Sequence, residues 1–192
     1  IRVPAIVVPH PSNIEFTPSA PPAGDPKLLF LGYLREYKGA DIGVEALALV
    51  RSQGLPATLT IAGSPWGDTD WPALCRSLGV AEHVTLELEY ISDARMADLL
   101  ASHHMLIAPY RSATQSGVIS LAFEAARPVV VTDVGGLAEF VQDGVNGVVC
   151  EPGSASEFAS AVARAWRMYP VLQRNARDAA ASWDDVAREY LA

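Results

Sequence analysis

The amino-acid sequence predicts an α/β fold with a doubly wound parallel sheet. Three observations carry this. From Lys27 onward, short apolar or β-branched runs alternate strictly with stretches of helical periodicity. The strand runs, "LLFLGY", "MLIAPY" and "PVVVTD" among them, are almost wholly apolar, as strands covered on both faces must be. Most strand runs lead into a polar or glycine-bearing loop before the next helix, the layout of a sheet sandwiched between helices.

The first 27 residues are rich in Pro and Ser. They hold one apolar run, "AIVV", that reads as a short edge strand, and they end in the linker-like "PPAGDPK". Strands are then expected at "LLFLGY", "ATLTIAG", "VTLELEY", "MLIAPY", "PVVVTD" and "NGVVCE". Helices are expected at "DIGVEALALVRSQ", "DWPALCRSLG", "SDARMADLLASH", "SGVISLAFEAA", "GGLAEFVQD" and "ASEFASAVARAW". The tail, residues 169–192, has helical spacing, with Trp183, Val186 and Tyr190 on one stripe.

Composition excludes several classes of function. A net charge of -8, with Lys27 and Lys38 the only lysines, argues against coating a nucleic-acid backbone, which needs clustered cations. Cys75 and Cys150 stand apart without a CxxC or a Cys/His cluster, so neither a disulfide framework nor a zinc site is signalled, and a reducing cytoplasm fits. No apolar run reaches the roughly 18 residues of a spanning helix, so no transmembrane segment is expected. The lack of a starting Met suggests a piece of a larger protein.

In doubly wound sheets, ligands bind at the carboxyl ends of the strands, which singles out the loops there. "GYLREYKGAD" sets Gly32, Arg35, Lys38 and Gly39 between a buried strand and a helix start, where free N–H groups already favour an anion. Lys38 reads there either as a phosphate clamp or as part of a solvated turn. The loop carries neither a Walker pattern nor GxGxxG. "PYRSATQSGV" brings small and hydroxylated residues to a helix starting near Gly117, so the amides of Ser116, Gly117 and Val118 are uncovered for an anion. A plain Ser or Thr N-cap is the alternative, and it gives Gly117 no role. "TDVGGLAEF" offers another glycine pair where backbone must approach something closely. Asp68, Asp70 and Trp66 read as a turn with an N-cap, His103 and His104 as packing groups, and His10 as the border of a cleft. Paired carboxylates for metal or acid/base work and a GxSxG elbow are both absent.

Together "FLGYLREYKGADIGVEAL", "TLTIAGS", "VTLELEYISDARMADLLASHHMLIAPYRSATQSGV" and "RPVVVTDVGGLAEFVQDGVNGVVCEPGSASEFASAV" resemble the C-terminal, Rossmann-like donor domain of GT-B glycosyltransferases of the group 1, or family 4, type. The resemblance covers residues 27–168, with "PVVVTDVGGLAEFVQDGVNG" its most specific part. It implies a retaining transfer from a nucleoside diphosphate sugar to a glycan or glycolipid acceptor, with no cofactor and no bound metal in most members. It also implies that an N-terminal, acceptor-holding domain is missing here. Residues 1–26 then become the interdomain connector, and residues 169–192 a helix that crosses back to the missing domain. The location implied is cytoplasmic, with room for peripheral contact with the inner membrane through the missing domain, and the fragment alone is expected to be inactive.

Position by position, the resemblance gives Lys38 to the donor diphosphate, with Arg35 supplying a second charge because Tyr33 stands where the family more often has Arg after Gly32. Ser116, Gly117 and Val118 match the diphosphate-binding helix start, while Ser64, Tyr90 and Ile91 match loops flanking the base. One departure is large. The family signature Glu-x7-Glu, counted back from Pro128, falls on Ala113 and Leu121, and both acids are gone. Glu124 reaches that spacing only by a three-residue shift, which puts it deeper along the helix. Thr114 and Gln115 are the expected substitutes for reading sugar hydroxyls. The missing acids also motivate a non-catalytic nucleotide-sugar sensor as a rival reading, while a GT-B epimerase would depend on acidic and His residues not seen here.

Overall fold

The computed structural model of the chain describes residues 14, 16, 20–114 and 116–179. The "AIVV" run, His10, Gln115 and the Trp183 to Tyr190 stripe lie outside them.

Among the described residues six strands form one sheet: β1 (Lys27–Leu31), β2 (Thr58–Ala62), β3 (Val84–Glu87), β4 (Met105–Ala108), β5 (Val129–Thr132) and β6 (Gly147–Cys150). Their order is β3-β2-β1-β4-β5-β6, and every pairing is parallel. Between and after them run α1 (Ala40–Ser52), α2 (Trp71–Ser77), α3 (Asp93–Ser102), α4 (Gly117–Glu124), α5 (Leu137–Phe140), α6 (Ala155–Arg167) and α7 (Tyr169–Asp178). The doubly wound α/β sandwich is therefore as the alternation predicts. All four residues of β4 and of β5 are buried, because helices cover both sides of the sheet. α1 packs against α2 and α6, and α7 against α4 and α6. Ile14 and Phe16, from the connector-like head, pack against the core.

Two elements are shorter than their periodicity suggests. β3 stops at Glu87, because its only neighbour among the described residues, β2, ends at Ala62 and the last pairing bond is Gly63 N–H to the Glu87 carbonyl at 2.9 Å. The fifth helix is one turn, Leu137–Phe140. Val141 is already extended and buried, and the Gln142 N–H turns onto Asn146 Oδ1 at 2.9 Å.

Three buried polar side chains hold the end of the fold remote from the strand carboxyl ends. Arg127, fully buried, caps the end of α3 by donating from Nε to the Leu100 carbonyl (2.8 Å) and from Nη2 to the Ala101 carbonyl (2.9 Å). His103 bonds through Nδ1 to the Leu99 carbonyl at 2.6 Å and through Nε2 to Thr60 Oγ1 at 2.7 Å. His104 accepts the Lys27 N–H on Nδ1 at 3.0 Å and packs edge-on against Trp166 and Tyr169. Both histidines are packing groups, as expected.

Burial pushes both imidazoles below the usual histidine value. The unfolded chain therefore binds protons more readily than the native one, so the stability they contribute is complete above about pH 6.5 and is lost as pH falls below it. Thermal unfolding between pH 7.5 and 5.5, above the carboxylate range, should show a Tm that declines on the acid side. A flat Tm across that window would contradict this assignment.

Candidate functional site at the switch point

β1 connects toward β2 and β4 toward β5, so the strand order reverses between β1 and β4, and the crevice above their carboxyl ends is the place where doubly wound sheets generally take their ligands. Its two banks are the β1–α1 and β4–α4 loops.

The first bank is built by backbone pairing. Gly32 N–H reaches the Ala62 carbonyl at 2.9 Å, Leu34 N–H the Ser64 carbonyl at 3.0 Å, and Trp66 N–H the Leu34 carbonyl at 3.2 Å, so this loop and the β2–α2 loop prolong the sheet ladder. A single 3₁₀ turn, Glu36–Lys38, follows and closes on Gly39 in the left-handed conformation (φ 63°). A Cβ there would stand 2.1 Å from the Pro109 carbonyl oxygen, so only glycine lets this turn lie against the second bank.

Arg111 then ties the banks together. Its N–H donates to the Tyr37 carbonyl (2.7 Å) and its Nη1 to the Glu36 carbonyl (2.7 Å) and to Asp41 Oδ1 (2.9 Å). Burial pushes the Asp41 carboxyl up, but the hydrogen bond and charge of the same guanidinium, with backbone N–H groups, outweigh it and hold the carboxyl below its ordinary value. Tyr37 and Tyr110 meet edge to face at 6.3 Å across the gap.

This frame directs Lys38 into the crevice. Its ammonium lies 5.5 Å from the centre of the Tyr110 ring and 3.0 Å from where a Cβ on Gly32 would sit, with Val118 bordering the same space. Among the described residues no carboxylate and no hydrogen-bond acceptor pairs with it. Burial, and secondarily the Arg35 charge, push its pKa below the ordinary lysine value.

Facing it is the start of α4. Ser116 occupies the N-cap position, yet its side chain makes no capping bond and its Oγ lies 3.2 Å from the Tyr110 hydroxyl instead. The plain serine cap is therefore not what the fold uses. Among the described residues nothing accepts from the Gly117 or Val118 amides, and space around Gly117 is open.

Beside the crevice, Gly32, Tyr33, Ser64, Tyr90 and Ile91 line one cavity of about 140 Å³, completed by Leu31, Gly63 and Met96. Tyr33 and Tyr90 are exposed at its rim, and buried Ile91 contributes to its lining. Arg35 is placed differently. Its guanidinium lies over the exposed Trp66 ring at 4.4 Å, in a separate groove of about 410 Å³ shared with Asp41, Glu45 and Asp68. Asp70 caps α2 by accepting the Ala73 N–H at 2.9 Å, as its spacing suggests.

The positions counted for the missing acids are both structural here. Leu121 belongs to the core, at 8% exposure. Ala113 presents its carbonyl to Gly135. Glu124 is the last residue of α4, roughly 10 Å along the axis from Gly117 at 1.5 Å per residue. Sequence reasoning missed Tyr110, Arg111 and Met96. A lone Arg just past a buried strand was the available signal for Arg111. Among the described residues no group of three His, Cys, Asp or Glu stands at metal-binding distances, and no helix is long and apolar enough to cross a membrane.

The fold and its crevice define a Rossmann-like α/β domain of the GT-B kind, with a cation and an open helix start at the switch point. Residues 25–168 match the family described as glycosyl transferases group 1, and the chain belongs to that family. It is 30% identical over 185 residues to the D-inositol 3-phosphate glycosyltransferase of Nocardiopsis dassonvillei, covering 88% of this chain and 43% of that protein. It resembles the solved structure of WaaG, a glycosyltransferase involved in lipopolysaccharide biosynthesis, with 27% identity and a TM-score of 0.72 over 85% of this chain and 44% of WaaG. Anabaena HepE in complex with UDP-glucose has the same fold, with 24% identity and a TM-score of 0.73 over 85% of this chain and 46% of HepE. The chain spans less than half the length of the curated relatives it matches, 40%, 43% and 47% for three of them.

Proposed function

We propose that this domain holds the donor, a nucleoside diphosphate sugar, for a retaining glycosyltransferase that passes the sugar to a glycan or glycolipid acceptor. The observation that carries the reading is the half-buried Lys38 ammonium, unpaired among the described residues, facing the open amides of α4 across the switch point. An anion placed there receives a charge-assisted bond and a helix-dipole contact together. In this reading Lys38 and the Ser116 to Val118 amides take the diphosphate, with Arg35 adding to the positive field from its seat over Trp66. The cavity of Gly32, Tyr33, Ser64, Tyr90 and Ile91 takes the base. Thr114 and Gln115 address the sugar.

The chemical role is electrostatic: these groups stabilise the charge that grows on the departing diphosphate, without moving a proton. The acceptor belongs to a second domain beyond this chain, with residues 1–26 as connector and 169–192 crossing back. No metal is required, the setting is cytoplasmic, and the domain by itself transfers nothing.

Calorimetric titration with UDP, GDP and ADP tests the reading. Binding of at least one is expected, and silence with all three at millimolar concentration would sink it. A second reading, a sensor that binds the donor without turning it over, draws on one observation: the positions counted for the acid pair are filled by a core leucine and a clamped alanine. Donor hydrolysis by the chain joined to its acceptor domain separates the two, since a sensor binds without turnover.

A further inference from the structure

The donor loop between β4 and α4 takes support from outside itself. It is seated against the segment that leaves β5, at three successive points. Thr132 Oγ1, buried, donates to the Tyr110 carbonyl at 2.6 Å. The Ala113 carbonyl lies where a Cβ on Gly135 would be, at 1.7 Å, and Gly135 has φ 52°. The Gly136 N–H donates to the Thr114 carbonyl at 3.2 Å, and a Cβ on Gly136 would come within 2.7 Å of that same oxygen. The bare edge of the glycine pair is thus filled by donor-loop backbone.

We propose that Thr132, Gly135 and Gly136 are positioning residues for the nucleotide-sugar site: they fix the height of the 110–114 backbone and thereby aim the Ser116 to Val118 amides at the diphosphate. This rests on the donor-binding reading above. None of the three needs to touch the ligand. A side chain on either glycine lifts the donor loop off its seat and turns the amides away, while the base cavity, built by the β1, β2 and β3 loops, is left as it is.

Gly136→Ala is the cleanest probe. Gly136 has φ -85°, which alanine adopts freely, so the one close approach it creates is to the Thr114 carbonyl oxygen at 2.7 Å, with Glu139 Oε2 at an ordinary 3.7 Å. Gly153→Ala is the control, since Gly153 has φ 86° but nothing within 4 Å of its would-be Cβ. NMR of the labelled chain without ligand should show the Ser116, Gly117 and Val118 amides displaced in Gly136→Ala and unmoved in Gly153→Ala. Titrations should then show affinity for the nucleoside diphosphate falling about tenfold while affinity for the bare nucleoside holds, a split that general destabilisation does not produce. If Gly136→Ala fails to fold, Thr132→Val replaces it, with Thr132→Ser expected to restore wild-type shifts. Unmoved amides, or an unchanged affinity difference between diphosphate and nucleoside, overturn the inference. A wild-type chain that binds no nucleotide at all overturns the donor reading instead, and the amide shifts still decide the seat.

Discussion

If the donor reading holds, Lys38→Met is expected to abolish most of the nucleoside diphosphate affinity without lowering the melting temperature of the free chain. The affinity follows from the bond that is lost: a hydrogen bond to a charged group is worth about 1.5–3 kcal/mol, or roughly 10- to 150-fold in Kd. The stability follows from the state of Lys38 before anything binds. Its ammonium is desolvated with no counter-charge among the described residues, so its folded pKa lies below the unfolded one and the charged form carries a cost at neutral pH. Methionine keeps the stem and removes that cost. Calorimetry with the diphosphate, and with the bare nucleoside as reference, checks the first half; thermal unfolding of the free chain checks the second. A variant that binds as tightly as the wild type would remove Lys38 from the site, and one that melts well below it would make Lys38 a structural lysine.

Gly63→Ala is expected to cost the fold far more than its single methyl suggests. Gly63 follows β2 with φ 149°, and a Cβ there would lie 2.0 Å from the Gly32 carbonyl oxygen and 2.6 Å from its carbon. Both obstacles are backbone at the floor of the crevice, held by the Gly32 and Gly63 ladder bonds, so neither yields by changing rotamer. Strain and displacement together cost roughly 3 kcal/mol or more, a large share of the 5–15 kcal/mol typical of a domain. Gly54→Ala supplies the comparison. Gly54 also has positive φ, 90°, but nothing lies within 4 Å, so it reports the backbone cost alone, about 1–2 kcal/mol. Denaturant unfolding of the two variants should separate them clearly, and equal losses would mean that the close approach contributes nothing.

Much of the architecture was legible because the information is local. Apolar runs such as "PVVVTD" have one comfortable place, the middle of a covered sheet, and the residues after each run must then be the crevice loops. Gly32, Tyr33, Ser64, Tyr90 and Ile91, the last three named through the family resemblance, come from three such loops and line one cavity. What stayed illegible depends on pairs distant in sequence. Lys38 and Arg35 look equivalent along the chain, but Trp66, from the next loop, draws Arg35 onto its ring and leaves Lys38 in the crevice. Ser116 looks like a helix cap until Tyr110 is seen beside its hydroxyl. Arg111 looks like an ordinary exposed cation, and its carboxylate partner, Asp41, is 70 positions away in the chain.

The Arg111 bridge bears on the thermodynamics of ligand entry. Because one guanidinium and one backbone amide already hold the Glu36 to Asp41 turn against the opposite loop, the crevice is preorganised in the empty chain. On the donor-binding reading, an arriving anion would meet a lysine turn already held in place and would have little conformational entropy to remove from it, so even a small phosphorylated molecule would retain most of its intrinsic interaction energy as affinity.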